Sequence, residues 1–421
     1  MPNVNTDFLY QAATLLTSVV QQATGQSVMR PTNVGEFTSV ATTAIQSGYD
    51  KVMNALSLMW GRTIFAVRPY SARLTGLEMN KDRWGNVTRK ISYADTPVEP
   101  DKRFIWPVAY DANQNPATGN GQSVDMWAIH KDDILQTQFY GQSVYMDCRT
   151  EFLDQLDAAF RGPEEFMRFN AEAIQNRQNK LEQYRENVAR AVLLNLMGSL
   201  YYIANSVAPL GDTQRVIHLL TEYNTKLGLT GDDALTAQSV MRPDNYPGFM
   251  RWVYSRLATL ADIFASRSTM YQTTINGKVI NRHTSADNMK IFILSEYLHE
   301  MDSMARSVTF HEDLLQLADV EGVPYWQTIQ APNQIDLANT VSLTGADGSI
   351  ITNALAAGST ALPNVFGVVF DRDAAGYAFT RRYDLATPGI NASGAYYNTF
   401  HHANVKTIQD TTEKSVLLML D

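Results

Sequence analysis

Cysteine is almost missing from this chain, with one residue, Cys148, in 421. A disulfide within the chain is therefore impossible, and stability must come from packing. Long apolar runs are missing too, since no stretch approaches the ~18 consecutive apolar residues of a membrane span. Positive charge is in deficit: 34 Lys and Arg stand against 43 Asp and Glu, a formal charge of −9. That balance argues against a protein whose main task is gripping phosphate backbones, which needs clustered cations. There is no Gly-x-x-x-x-Gly-Lys-Ser/Thr loop, no Gly-x-Gly-x-x-Gly after a strand and no Gly-x-Ser-x-Gly elbow, so the usual nucleotide-binding and hydrolase routes lose their support. Residues 1–6 carry no positive charge and 14–20 is only a short apolar patch, so no secretory signal is expected. No repeat of 20 to 50 residues is visible, which excludes solenoids and propellers.

What is present is a folded protein of one to three domains, 45% hydrophobic and 18% charged. Residues 1–61 are Thr- and Gln-rich, with helix-like spacing of Val40, Ala44, Val52, Ala55, Leu56 and Met59, and read as an N-terminal arm. Residues 62–150 hold short extended pieces, 63–67 and 87–93, around the turn signal Trp84-Gly85-Asn86, then a Pro/Asn/Gly-rich connection. Such a region makes a poor independent domain and is expected to lie across another part of this subunit or a neighbour. Gly162-Pro163-Glu164-Glu165 starts a helix sharply, with proline in the first turn and carboxylates on the positive end of the dipole. Phe166, Phe169, Ala173, Leu181, Tyr184, Val188, Val192, Leu196 and Leu200 then recur three or four apart, predicting one long helix, or two in line with a weak point near 175–179. Helices are expected over 213–227, 246–265 and 296–307, a buried strand over 289–294, and a hairpin of 271–275 with 278–280 around Asn276-Gly277. Residues 332–363 read as loop with short strands.

The last sixty residues are dense in strand signals. Val365-Phe366-Gly367-Val368-Val369-Phe370 closes on Asp371-Arg372-Asp373, the aromatic run 394–402 places Tyr396 and Phe400 on one face and Tyr397 on the other, and 415–420 is apolar. The chemistry in this segment is thin. Asp371 and Asp373 beside Arg372 suit a turn with a local ion pair better than an acid–base pair. Adjacent residues of a strand point to opposite faces, so His401 and His402 cannot chelate one ion together, with or without Asp410. His299-Glu300 lacks the second histidine of a zincin helix, Ser303 standing in its place. Cys148 is expected to be a buried structural thiol, and Arg381-Arg382 an exposed or intersubunit charge pair. No catalytic residue, cofactor or metal is expected.

The segment 367–374 as strand and acidic turn, 391–402 as an aromatic strand and 410–420 as a closing strand resemble the major capsid proteins of tailed bacteriophages, which share the fold of phage Hong Kong ninety-seven. Gln136-Thr137-Gln138-Phe139-Tyr140, running into 153–160 and the long helix, is similar to the capsid proteins of small short-tailed phages. The resemblance implies an α+β chain: an N-terminal arm (1–61), an extended loop region (62–150), the spine helix of a peripheral domain (151–209), an axial-type α/β domain (210–364) and C-terminal strands of the peripheral domain (365–421). It implies a structural subunit that assembles with itself, as hexamers and pentamers, into an icosahedral head enclosing double-stranded DNA with weak contact and no membrane. Scaffolding and portal proteins are implied partners, and the virion capsid, built in the bacterial cytoplasm, the implied location. Arg83, Trp84, Arg89 and Lys90 are expected at the tip of the extended loop, against a neighbouring subunit. An encapsulin-like compartment shares the fold, and an enzyme using Asp371, Asp373 and His401 is the reading from a different class.

Overall fold

The structure, a computed structural model, describes residues 6–25, 27–46, 51–52, 55, 71–79, 87–93, 126–127, 129, 131, 134–140, 143–154, 162–205, 213–274, 277, 280–306, 320–337, 343–344, 350–351, 360–386, 391 and 393–421. Among them are α1 (Thr6–Thr24), α2 (Val34–Gln46), β1 (Val87–Tyr93), β2 (Ile134–Tyr140), β3 (Ser143–Phe152), α3 (Pro163–Asn205), β4 (Val216–His218), α4 (Leu219–Leu227), α5 (Tyr246–Ala265), β5 (Met289–Leu294) and α6 (Ser295–Arg306). Strands follow as β6 (Val320–Val323), β7 (Ile335–Leu337), β8 (Leu343–Thr344), β9 (Ile350–Ile351), β10 (Thr360–Leu362), β11 (Val365–Asp371), β12 (Ala375–Ala386), β13 (Tyr396–Gln409) and β14 (Ser415–Met419). The class is α+β. The chain clusters into two compact units, the first from Met1–Asn86, Tyr140–Leu193 and Ala375–Ile408, the second from Val87–Phe139, Leu194–Ala374 and Gln409–Asp421.

In the first unit the order β12-β13-β3 forms a three-stranded sheet, β13 and β3 antiparallel with Tyr397 opposite Glu151 and His401 opposite Asp147. Burial alternates along β13, so Tyr397, Thr399, His401, Ala403 and Val405 are inside. The N-terminal half of α3 packs on this inner face: Tyr184 stacks on Tyr145 at 4.1 Å and lies 6.3 Å from Phe379, and Lys180 meets Asp147 at 3.1 Å. The helix is continuous for 43 residues, so the weak point expected near 175–179 does not break it; at ~1.5 Å per residue it is roughly 64 Å long. Where α3 begins, Phe166 and Met167 join Leu16, Val19, Val20, Phe37, Ala41, Ala44 and Tyr397 in a core closed by α1 and α2. Phe37 meets Phe166 edge to face at 5.8 Å. α2 starts earlier than its apolar spacing suggested because Asn33 and Glu36 cap it reciprocally, Glu36 N donating to Asn33 Oδ1 at 2.8 Å and Asn33 Nδ2 to Glu36 Oε1 at 2.9 Å.

The second unit is built on a mixed sheet of order β4-β14-β11-β5-β6. β11 is antiparallel to both β14 and β5, whereas β4 and β6 add to the edges in parallel. Every residue of β11 is buried, as expected of a central strand covered on both faces. Tyr246, Phe249, Met250, Val253, Leu257, Leu260 and Phe264 form the buried stripe of α5 at helical spacing. Tyr297 of α6 stacks on Phe366 at 5.1 Å, and Trp326 Nε1 donates to Val365 O at 2.9 Å.

Three sequence expectations change. Residues 213–227 are not one helix: a turn of 3-10 helix, 213–215, leads into β4, because Val216 and Ile217 pair with Leu417 and Leu418 before α4 begins. Of the hairpin expected around Asn276-Gly277, residues 271–274 are not strand, 275, 276, 278 and 279 lie outside the described residues, and Gly277 takes the positive φ of a turn, +68°. The flanking backbone is bound elsewhere, Thr273 N to Thr411 O at 3.1 Å and Ser415 N to Tyr271 O at 2.8 Å, leaving a bridge between Ser268 and Arg282. Finally, residues 365–421 do not form one set of strands. β11 and β14 belong to the second unit, β12 and β13 to the first. The chain leaves at the turn 371–374 and returns at 410–414, and these two points are tied by Asp410 N to Ala374 O, 2.7 Å, and Asp371 N to Lys414 O, 2.8 Å.

Candidate functional site: the ribbon and its anchorage

β1 and β2 pair as a two-stranded ribbon in the second unit. Alternation decides its two faces. Arg89, Ile91 and Tyr93 point outward, Ile91 and Tyr93 being 51% and 63% exposed, while Lys90 and Ser92 turn inward. On β2, Ile134 (54%), Gln136 and Gln138 are exposed and Leu135, Thr137 and Phe139 half-buried. The outer face thus shows three large apolar side chains while the inner face carries an ammonium group.

That ammonium group is the anchor. Lys90 Nζ donates to Asp410 Oδ2 at 2.8 Å and to Glu413 Oε1, and Arg282 Nη1 donates to the same Glu413 oxygen. Arg282 Nη2 reaches Ser92 Oγ on β1 at 3.1 Å and Thr412 Oγ1 at 3.2 Å. Asp410 folds the turn on itself, its Oδ1 accepting from Thr412 N at 2.9 Å and Thr412 Oγ1 at 2.6 Å. Two cations and two carboxylates therefore share one largely buried cluster. Burial by itself would lower the pKa of Lys90, but Asp410 and Glu413 outweigh it and hold the ammonium group above its usual range. Burial likewise acts to raise Asp410, and Lys90 with Thr412 overturns this and holds it low. Glu413 stays raised, because burial is only partly offset by Lys90 and Arg282.

The turn that supplies Asp410 and Glu413 is held by two further buried cations. Arg215, fully buried, donates through Nη1 to Tyr271 O, to Ser415 O at 2.8 Å and to Ser415 Oγ at 3.0 Å, and through Nη2 to Thr411 O and to Thr273 Oγ1 at 2.8 Å. Lys414 Nζ points to the opposite side, onto Ser266 O at 2.6 Å, Phe264 O at 3.2 Å, Ile263 O at 3.3 Å and Ser268 Oγ at 3.1 Å. In these bonds carbonyl and hydroxyl oxygens meet both cations.

Of the four residues expected at the loop tip, Arg83 and Trp84 lie outside the described residues, and Arg89 is exposed. Lys90 corrects its expectation: it is committed to partners within the chain. Sequence reasoning missed the joint role of Arg282, Asp410 and Glu413; the signal was Asp410-Thr411-Thr412-Glu413-Lys414, three charges set directly before a fully buried strand. Cys148 also departs from expectation, because its place on β3 faces outward and leaves it exposed. Asp371 and Asp373 form a turn: Asp371 Oδ2 accepts from Thr284 Oγ1 at 2.6 Å and Oδ1 from Asp373 N at 2.9 Å. His401 is in the first unit, buried on β13. Glu300 accepts from the Tyr246 hydroxyl, and no group of three or more His, Cys, Asp or Glu suited to a metal exists among the described residues.

No protein-family model matches the sequence, and no curated protein matches it. Among solved structures, the chain is similar to one described as the capsid structure of Staphylococcus phage Andhra, at 9% identity and a TM-score of 0.48, with 86% of this chain and 87% of that one covered. It is similar to a chain from the structure of head fiber and inner core protein of native bacteriophage P68, at 10% identity and 0.49, covering 86% and 88%. A third, the cyanophage Pam1 capsid asymmetric unit, gives 12% and 0.43, covering 85% and 94%.

Proposed function

We propose that this chain is a shell subunit: the major capsid protein of a tailed double-stranded DNA phage, with the fold of phage Hong Kong ninety-seven. The observation that carries the reading is the ribbon β1–β2. An isolated two-stranded ribbon is marginal in water, and this one is tied to its own subunit through charge while presenting Ile91, Tyr93 and Ile134 outward. A face of that kind is stabilised by burial against another copy. The outer face of the sheet in the first unit has the same character, with Val144, Met146 and Phe152 exposed on β3. The 43-residue helix supplies a stiff member of the kind a thin wall needs, and the acidic chain suits a container whose DNA must remain movable.

On this reading the partners are further copies in hexamers and pentamers, with scaffolding and portal proteins at assembly, and the location is the virion capsid, built in the bacterial cytoplasm. Arg83, Trp84 and Arg89 contribute to the contact with a neighbouring copy. The test is light scattering and electron microscopy of the purified full chain. Megadalton shells or rings are expected; a discrete small oligomer with enzymatic activity overturns the proposal. The double variant I91S/Y93S should keep its circular dichroism and lose the large particles, and Trp84→Ala giving normal shells would count against the tip contact.

A further inference from the structure

Glu151 is the buried carboxylate of β3, only 3% exposed, with both oxygens buried and neither making a hydrogen bond. Arg149 Nε lies 2.8 Å from Oε1, a charge contact from the neighbouring same-face position, without hydrogen-bond geometry. Opposite Glu151 in register is Tyr397, and directly opposed residues of an antiparallel pair share a face. Tyr397 belongs to the core that α1, α2 and Phe166 close. The carboxyl group therefore sits beside the apolar seat of the N-terminal helices.

We propose that Glu151 is a proton-operated switch for that seat: neutral, its carboxyl group is tolerated under α1 and α2; ionised, it loosens them from the sheet. The charged and titratable groups described on the surrounding elements do not offer it a second partner. On β3, Asp147 is engaged by Lys180 of α3. On β13, His401 stands opposite Asp147, four pairs away, and Lys406 lies beyond the far end of the β3 pairing. On α2, Glu36 is turned outward to Thr32 and Asn33. Burial pushes Glu151 up to about 7, and Arg149 pulls it back only in part.

The direction follows from linkage. A carboxyl group raised in the seated state and ordinary in the open one favours seating at low pH, and the advantage is lost as pH rises from 4.5 to about 7. Each pH unit across that window is worth about a factor of ten, so roughly 300-fold in the opening equilibrium separates pH 4.5 from pH 8. The idea does not depend on shell assembly, because seat and helices belong to one unit of one chain.

Hydrogen exchange read by mass spectrometry over 6–24 and 34–46 in the full chain, corrected for intrinsic rates, tests it between pH 5 and 8.5. Protection of these helices should fall with pH in the unaltered chain and become level in E151Q. Level protection in the unaltered chain, or an unchanged slope in E151Q, overturns the proposal. Should E151Q fail to fold, infrared spectroscopy of the unaltered chain decides: a protonated-carboxyl band at pH 5.5 that disappears through 7 to 8 supports the switch, and no such band refutes it.

Discussion

Replacing Lys90 by methionine keeps the aliphatic stem and removes one charge from the cluster that anchors the ribbon. Lys90 is 22% exposed in its side chain and its partners Asp410 and Glu413 are 2% and 8% exposed, so the pairs count as buried. Removing one partner of such a pair typically costs ~3–5 kcal/mol, because a buried charge is left behind. Two contacts soften the loss here. Asp410 keeps its two donors from Thr412, and Glu413 keeps Arg282, which places the expected cost at the low end, about 3 kcal/mol. At ~1.4 kcal/mol per factor of ten, amide exchange of β1 should accelerate roughly 100-fold, while the five-stranded sheet changes little. Asp410 contributes stability above its ordinary 3.8, lost as pH falls through its lower folded value; Lys90 contributes below its ordinary 10.5, lost as pH rises through its higher one. The K90M penalty should therefore shrink toward acid, where the Asp410 contribution is lost and Glu413, raised by burial and raised further without Lys90, takes a proton. Exchange of β1 altered by less than about threefold would refute the anchor, since a ribbon held mainly by its apolar contacts would not notice the charge.

Gly367→Ala should destabilise the second unit by about 3 kcal/mol in urea denaturation, because its Cβ would lie 2.6 Å from the carbonyl oxygen of Phe292 and neither backbone can yield. Gly376→Ala meets instead Met79 Cγ at 2.4 Å and Sδ at 2.5 Å, a side chain that can turn aside, with the Leu77 carbonyl oxygen at 3.1 Å, and should cost less, about 2 kcal/mol; the reverse order would contradict the packing. Lys414→Met takes a donor from the Ser266 carbonyl and the Ser268 hydroxyl, while Phe264 O and Ile263 O keep Thr284 N and Ser266 N, for an expected loss of about 1–2 kcal/mol, and an unchanged midpoint would show that water replaces the ammonium group without cost.

The long elements were legible because each carries its own period. α3 announced itself through Pro163 and its apolar spacing, α5 through Tyr246 to Phe264, and β5 and β11 through short apolar runs. What failed was set by partners far away in the chain. Val216 and Ile217 looked helical until Leu417 and Leu418 offered a parallel strand, and the backbone of Tyr271 and Thr273, expected in a hairpin strand, found its hydrogen bonds at 411–415. The four residues named for the candidate site came from local charge near a turn signal. That criterion cannot tell Arg89 from Lys90, adjacent cations on opposite faces, without knowing what stands beneath. Asp410 and Glu413 lie more than three hundred positions away from Lys90, and no periodicity reports such a pairing.

The place of β14 also bears on how the protein is made. Residues 415–419 form an inner strand between β4 and β11, yet a ribosome delivers them after the other strands described. Until they emerge, Val216–His218 has no neighbour and one edge of β11 stays open, an invitation to pair with another nascent chain. Closing the sheet also requires a contact across some two hundred residues, which slows the search. A cell synthesising many copies at once would therefore carry a population of chains with β4 and β11 already made and one slot between them waiting, and their safe folding depends on residues 415–419 following promptly.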